Sequence, residues 1–459
     1  MVEMWLRLTS ADLRIEQDQD RDEGRDIAPL AARCDELCAA LDAPGGTEDY
    51  ALQRAAREWI DQCADLPQAD GYKFVEPSAP AEIRAERAGA VELGGLPKGD
   101  ELFDRMHGAW TGRCCGCMIG KPCEGVRRRD IETALKVQGR WPLADYWSGR
   151  GGEAIKEALG RDFWLKEDSP HAAEHLDRMP EDDDTNYTVT GMEIVRLNGR
   201  GFTARDVGSF WCGNIPMLHV CTAERMAYRN YALCLPTVGN DGRAAGRFTT
   251  ATYRNPYREW IGAQIRADFY GYCNPGNPEA AADMGWRDAS FSHVRNGVYG
   301  EMWAAAMIAA AFATDSVETA IRAGMAQIPA RSRLHADLEQ VFAWRAAGMG
   351  ATQALDAIHA RWNERNGHHW CHTNSNAQIV AWALLWGEKD FCRTVGMAAS
   401  AGFDTDCNGA TSGSVLGAMI GCKAIPGHLA APLHDRLVTG IAGRNLVNLS
   451  DMARESLEI

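Results

Sequence analysis

Positive charge is scarce in this chain. Its 459 residues hold 48 Lys and Arg against 63 Asp and Glu, a formal net charge of -15 at pH 7. That balance argues against nucleic acid or an anionic membrane as partner, because phosphate groups are bound mainly through clustered Lys and Arg. An acidic site that collects cations is easier to reconcile with it. Long apolar runs are missing as well. The longest, MWAAAMIAAAFA from Met302 to Ala313, falls short of the roughly 20 residues of a membrane span and reads as a buried, alanine-rich helix. The N-terminal stretch soon becomes strongly charged and has no apolar core of signal-peptide length, so export is not expected. A cytoplasmic setting with reduced thiols is the expectation for the 15 cysteines. Metal-cluster spacing is also lacking. RCCGCMIGKPC matches no zinc or iron-sulfur pattern and no second Cys/His group follows, so Cys114, Cys115, Cys117 and Cys123 read as small packing residues.

Runs of alternating apolar and polar residues are few and short, which leaves helix as the dominant element. Apolar residues recur at helical spacing in LAARCDELCAALDA and YALQRAAREWIDQCADL near the N-terminus, and in ETALKVQGRW, AQIVAWALLWG and DFCRTVGMAASAG further on. Residues 1–98 are expected to form a helical extension followed by a linker or draped arm rich in Pro, Gly and polar residues. Residues 99–459 are expected to form one large all-α domain, with Asp100 capping its first helix and long loops near 137–182 and 232–258.

Glycine is abundant in two places where helices should not want it. Gly108, Gly112, Gly116 and Gly120 recur every fourth residue in one helix, and Gly409, Gly413, Gly417 and Gly421 do so in another. Positions four apart share a helix face, and each interior glycine costs about 1 kcal/mol against alanine. Close backbone packing is the compensation to expect. If the two helices pack antiparallel, Glu124, after the first, lies beside Asp404 and Asp406 at the start of the second. A third acidic run, Asp182, Asp183 and Asp184 in PEDDDTNYT, precedes another helical stretch. Capping accounts for one acid per helix, not for consecutive acids. Gathered together, they would need cations to offset their repulsion, and oxygen donors suit hard ions: two Mg2+ above all, with Mn2+ or Ca2+ as substitutes. Three separate solvated acidic caps are the alternative.

Four ordered motifs, GAWTGRCCGCMIGKPCEG, EDDDTNYT, DASFSHVRNGVYGEMWAAAMIAAAF and GFDTDCNGATSGSVLGAMIG, resemble those of the ADP-ribosylglycohydrolase family. That family also includes the enzyme that removes ADP-ribose from dinitrogenase reductase. The resemblance covers roughly residues 100–430. It implies an orthogonal all-α bundle with two Mg2+ ions in a cleft, and hydrolysis at the anomeric carbon of a ribose whose vicinal hydroxyls the ions bind. Carried over by motif, the metal ligands fall on Asp182, Asp183, Asp184, Asp404, Asp406 and Cys407. Glu124 and Asp404 are the catalytic carboxylates, with Thr185 and Thr405 completing the motifs. Gly262, Arg266, His293 and Asn296 are the substrate contacts.

Departures from the family pattern are specific. Cys117 follows Gly116 where the family has Asp, Asp182 and Cys407 stand where it has threonine ligands, and REWIGAQIRAD keeps Gly262, Ala263 and Arg266 of a phosphate-binding loop but loses its other glycine. Asp182 is expected to compensate for Cys407. The expected substrate is an ADP-ribosylated protein, or a smaller riboside, cleaved at an N- or O-glycosidic bond. The rival readings are a structural or binding protein that kept the bundle, like the crystallin members of the family, and two-metal phosphoryl hydrolysis. His368, His369 and His372 read as a polar loop lining the cleft, Trp110, Trp211 and Trp260 as core, and Asn214 as a cap.

Overall fold

The computed structural model describes residues 7–459; residues 1–6, the start of the expected extension, lie outside the described residues. Helices make up about 60% of it, and the strands among the described residues are the short antiparallel pair Arg436–Val438 and Leu446–Asn448. The all-α expectation holds. No helix among the described residues is long and apolar enough to cross a membrane. MWAAAMIAAAFA falls largely in the helix Arg295–Ala311, almost wholly buried.

The two glycine helices run from Asp100 to Gly120 and from Thr405 to Ile420, and they lie antiparallel with their backbones in contact. A Cβ on Gly108, Gly112, Gly116 or Gly120 would fall under 3.0 Å from the carbonyl oxygen of Gly417, Gly413, Gly409 or Thr405 respectively. Side chains do not survive at that separation, so glycine at each crossing point is what permits it. Thr405 Oγ1 donates to the Gly120 carbonyl at 2.9 Å, tying the end of one helix to the start of the other. The first helix begins at Asp100 with Gly99 in the cap position, so Asp100 and Glu101 occupy the first turn. There their charge meets the positive helix end, a different favourable placement from the expected cap.

Ahead of this core, helices Ser10–Asp22, Ala28–Asp42 and Tyr50–Cys63 share a small apolar cluster of their own that includes Leu13, Leu37, Trp59 and Ile60. The arm that follows contains one short helix, Pro80–Ala85. Buried ion pairs join this N-terminal segment to the rest. Arg258 meets Glu16 at 2.8 Å, Asp20 at 3.2 Å and Glu23 at 2.6 Å, and Arg333 meets Glu76 at 3.0 Å. Asn296 belongs to the same seam: its Nδ2 donates to Glu76 Oε1 at 2.8 Å and its Oδ1 accepts from the Leu334 amide.

The seam carries a pH dependence. For Asp22, burial alone would raise the pKa, but the His368 hydrogen bond and the charges of His372 and Arg333 bring it down to about 2. Glu23 is likewise about 2, against its burial, through Arg258, Arg295 and Arg25. Both folded values lie below the ordinary carboxylate range, so this attachment is intact above pH 4 and is lost as pH falls toward 2. Asp20 works in the opposite sense. Burial and Glu16 push it up to about 8, so its contribution declines as pH rises through that value. Amide protection in Ser10–Asp22, taken relative to the intrinsic exchange rate at each pH, should therefore be greatest in mildly acidic solution and should drop sharply below pH 4; a flat profile would contradict these pairings.

Candidate active site

The glycine contact places its helix ends where the acids converge. Glu124 follows the first helix, Asp404 and Asp406 open the second, and Asp182 caps a third helix, Asp183–Asn198, by accepting from the Asp184 amide. Just before Asp404, buried Phe403 holds φ at +59°, a left-handed conformation that a bulky residue adopts only when its surroundings enforce it. The side-chain Oδ1 of Asn376 then accepts from the Asp404 amide and from Asn408 Nδ2, fixing the turn.

Two groups of side chains have ligand atoms within 4.8 Å of one another: Cys117, Asp182, Asp184 and Asp406 form one, and Asp404, Asp406 and Cys407 the other. Asp406 belongs to both. One oxygen each of Asp184, Asp404 and Asp406 is buried without a hydrogen-bond partner. Cations nearby are few: Lys121 meets Asp182 at 2.6 Å, and Arg113 meets Asp184 at 3.2 Å and Asp268 at 2.8 Å. Left to itself the cluster holds protons. Burial, then Asp406 and Glu124, pushes Asp404 well above the usual carboxylate range, and burial with Asp182 takes Asp406 to about 6. Glu124 lines the cavity rim, its residue surface open to solvent but its carboxyl set against the acids, and it is raised to about 9 by Asp406 first and desolvation second. Orphaned, crowded oxygens of this kind fit a divalent cation, since unpaired buried carboxylates are otherwise costly.

Beside the acids is a cavity of about 120 Å3. Its lining combines the acids Glu124, Asp183, Asp404 and Asp406 and the thiol of Cys407 with Trp260, Ile261, Ile265 and Trp370, and also includes Gly262, Cys221 and Cys371. Of the four residues expected to touch substrate, Gly262 alone lies here. Arg266 is buried in ion pairs with Glu224, Asp288 and Glu301 and under the rings of Tyr187 and Trp211. His293 is buried next to it, bonded to Ser292 at 2.7 Å, and Asn296 is taken by the seam.

The histidine loop needs a correction. It does line the cavity, but through Trp370 and Cys371, while His368 and His372 turn to Asp22 of the N-terminal segment at 3.1 and 3.6 Å. These three could group around a metal, but the ring protons are wrong for it. His368 Nδ1 accepts from Trp260 Nε1 and His372 Nδ1 from the Asn374 amide. A ring that accepts at Nδ1 carries its proton on Nε2, facing the carboxylate, whereas a histidine that ligates through Nε2 donates from Nδ1. They form a polar clamp on the loop that bears Trp370. Cys117 is the second correction: it is buried as expected but faces acids, while Cys114 and Cys115 on the same helix fall outside both groups. Trp110 and Trp211 are core, and Trp260 is nearly buried while also walling the cavity. A larger cavity of about 280 Å3 at the N-terminal seam is lined by Arg25, Arg254, Arg258 and Arg295, each already paired to a carboxylate.

The ADP-ribosylglycohydrolase family model matches residues 98–456. The chain belongs to the ADP-ribosylglycohydrolase family. Membership supports a hydrolase of the glycohydrolase type. No curated protein matches it. Among solved structures it is similar to one titled "ADP-ribosylglycohydrolase-related protein complex", 18% identical with a TM-score of 0.44, the match covering 78% of this chain and 97% of the other. Trp370, Cys371, Cys221 and Lys121 reach the site without a sequence signal of their own, although Trp370 and Cys371 sit inside the flagged loop NGHHWCHTNSN.

Proposed function

We propose that the protein is a divalent-cation-dependent glycosidase that hydrolyses the anomeric N- or O-glycosidic bond of a ribosyl unit. The observation that supports this most is the set of partnerless oxygens on Asp404 and Asp406, which line a cavity together with Trp260 and Trp370, and on Asp184, which groups with Asp406. At about 120 Å3 the cavity is well below the roughly 300–1,000 Å3 that encloses a whole drug-sized ligand. It suits one sugar ring, with the remainder of a simple riboside or of an ADP-ribosyl group left outside. Asp182, Asp184, Asp404 and Asp406, with Asp183 at the wall, would hold the cations, Mg2+ being the ion the oxygen donors suit. Bound cations would supply Lewis-acid polarisation and offset the carboxylate charge.

The residues then divide the work. Trp260 and Trp370 exclude water from one face of the ring and orient it. Anionic oxygens of Asp404 and Asp406 favour the positive charge that grows at the anomeric carbon as its bond breaks. Asp404 accepts a proton from the attacking water. Glu124, at the rim, donates one to the departing group.

A panel of ADP-ribosylated peptides, ADP-ribose derivatives and simple ribosides in 18O-water tests the reading. The expected product is a free ribosyl unit carrying 18O at its anomeric carbon, with turnover stopped by EDTA and restored by a divalent cation. EDTA-insensitive turnover, or release of inorganic phosphate as the only product, would overturn it.

A further inference from the structure

We infer that each cation position takes a cysteine sulfur, Cys117 in one and Cys407 in the other, so that the centre selects Zn2+-class ions over Mg2+. This rests on the cation-site reading above and sharpens it. The sulfur of Cys117 lies within 4.8 Å of ligand oxygens of Asp182, Asp184 and Asp406, and that of Cys407 within the same distance of oxygens of Asp404 and Asp406. Ligand atoms around a tetrahedral Zn2+ stand about 3.3–3.8 Å apart, as bond lengths of about 2.0–2.3 Å dictate, so small side-chain rotations close either group. Both sulfurs are buried, with Cys117 fully excluded from solvent and Cys407 at 5% exposure. Each group also holds a buried carboxylate oxygen without a partner, Asp184 in the first, Asp404 in the second and Asp406 in both.

Asp182 does not stand in for a ligand beside Cys407. It belongs to the Cys117 group, where its oxygens also accept from Lys121 at 2.6 Å and from the Asp184 amide at 3.0 Å. That leaves the second group with two carboxylates and a sulfur. Mg2+ takes oxygen and binds sulfur poorly, whereas Zn2+, Co2+ and Fe2+ accept mixed oxygen and thiolate donors. Each thiol gives up its proton to solvent as the ion binds, with no change of oxidation state. Cys371 is a useful contrast: its sulfur donates to Asp404 at 3.5 Å but lies outside both groups.

The test is anaerobic titration of the full-length, metal-stripped, reduced protein with Co2+, read by absorbance and calorimetry. A thiolate-to-Co2+ charge-transfer band in the near ultraviolet should grow to saturation at two ions per chain. Cys117→Ser and Cys407→Ser should each remove about half of it, and each should reduce the preference for Co2+ over Mg2+ by roughly 10- to 100-fold. The double variant, with far-ultraviolet circular dichroism unchanged, should show no band, and Cys371→Ser should keep it whole. Two ions bound without the band, or a band surviving in the double variant, would overturn thiolate ligation and leave the cation reading intact. No uptake of Co2+, Mn2+ or Mg2+ would instead defeat the cation reading itself.

Discussion

Gly413→Ala lowers the thermal midpoint of unfolding instead of raising it. Alanine in place of glycine in a helix interior ordinarily gains about 1 kcal/mol. Here the added methyl would fall under 3.0 Å from backbone atoms of Gly112, a rigid neighbour that gives way only by moving a helix. Overpacking of a fixed core costs about 1–3 kcal/mol, and against backbone the upper end applies, so the net loss is about 2 kcal/mol. The damage should reach the site, because the same contact sets Thr405 against Gly120. Divalent-cation affinity should fall together with stability. An exposed glycine such as Gly213, which has open space around it, provides the comparison, and a Gly413→Ala protein more stable than the parent would contradict the packing described.

Asp406→Asn separates stability from function. Asp406 is common to both ligand groups, and burial with Asp182 holds its pKa at about 6, above the ordinary carboxylate value. A raised folded value means that ionisation opposes folding, so the cation-free protein loses stability as pH rises through 6. The amide cannot ionise. At pH 8 the cation-free variant should therefore melt higher than the parent, while the extra stabilisation that divalent cations give the parent should disappear. Glycosidase activity should drop by at least about 100-fold, since ligand loss exceeds the 10- to 100-fold typical of outer groups. A variant that melts lower without cations and is still stabilised by them would contradict the shared role.

How much of this was legible in the sequence depends on how far apart the cooperating residues lie. The glycine interval is a local pattern on one helix face, and it identifies the two helices that meet and, through their antiparallel order, the acids that meet at their ends. The acidic runs are equally visible because capping does not explain consecutive carboxylates. Cys117 is a different matter. Its neighbours Asp182, Asp184 and Asp406 come from two other helices, so no local cysteine spacing exists to betray it. Arg266, His293 and Asn296 look like site residues by motif, yet their partners Glu224, Ser292 and Glu76 draw them into the core and the N-terminal seam. Asp22 shows the same limit in reverse. Nothing near it in the chain announces that it clamps His368 and His372, and thereby the loop carrying Trp370. Fold class follows from helical periodicity; the inner surface of the cavity follows from contacts between segments hundreds of residues apart.

On the proposed reading the two glycine helices assemble a centre for two divalent cations around Asp406. Anomalous diffraction from crystals grown with Zn2+, and separately with Mn2+, would locate the ions. Two peaks per chain are expected, one among Cys117, Asp182, Asp184 and Asp406 and the other among Asp404, Asp406 and Cys407. Peaks confined to His368, His372 and Asp22, or no peak beside Asp406, would contradict it.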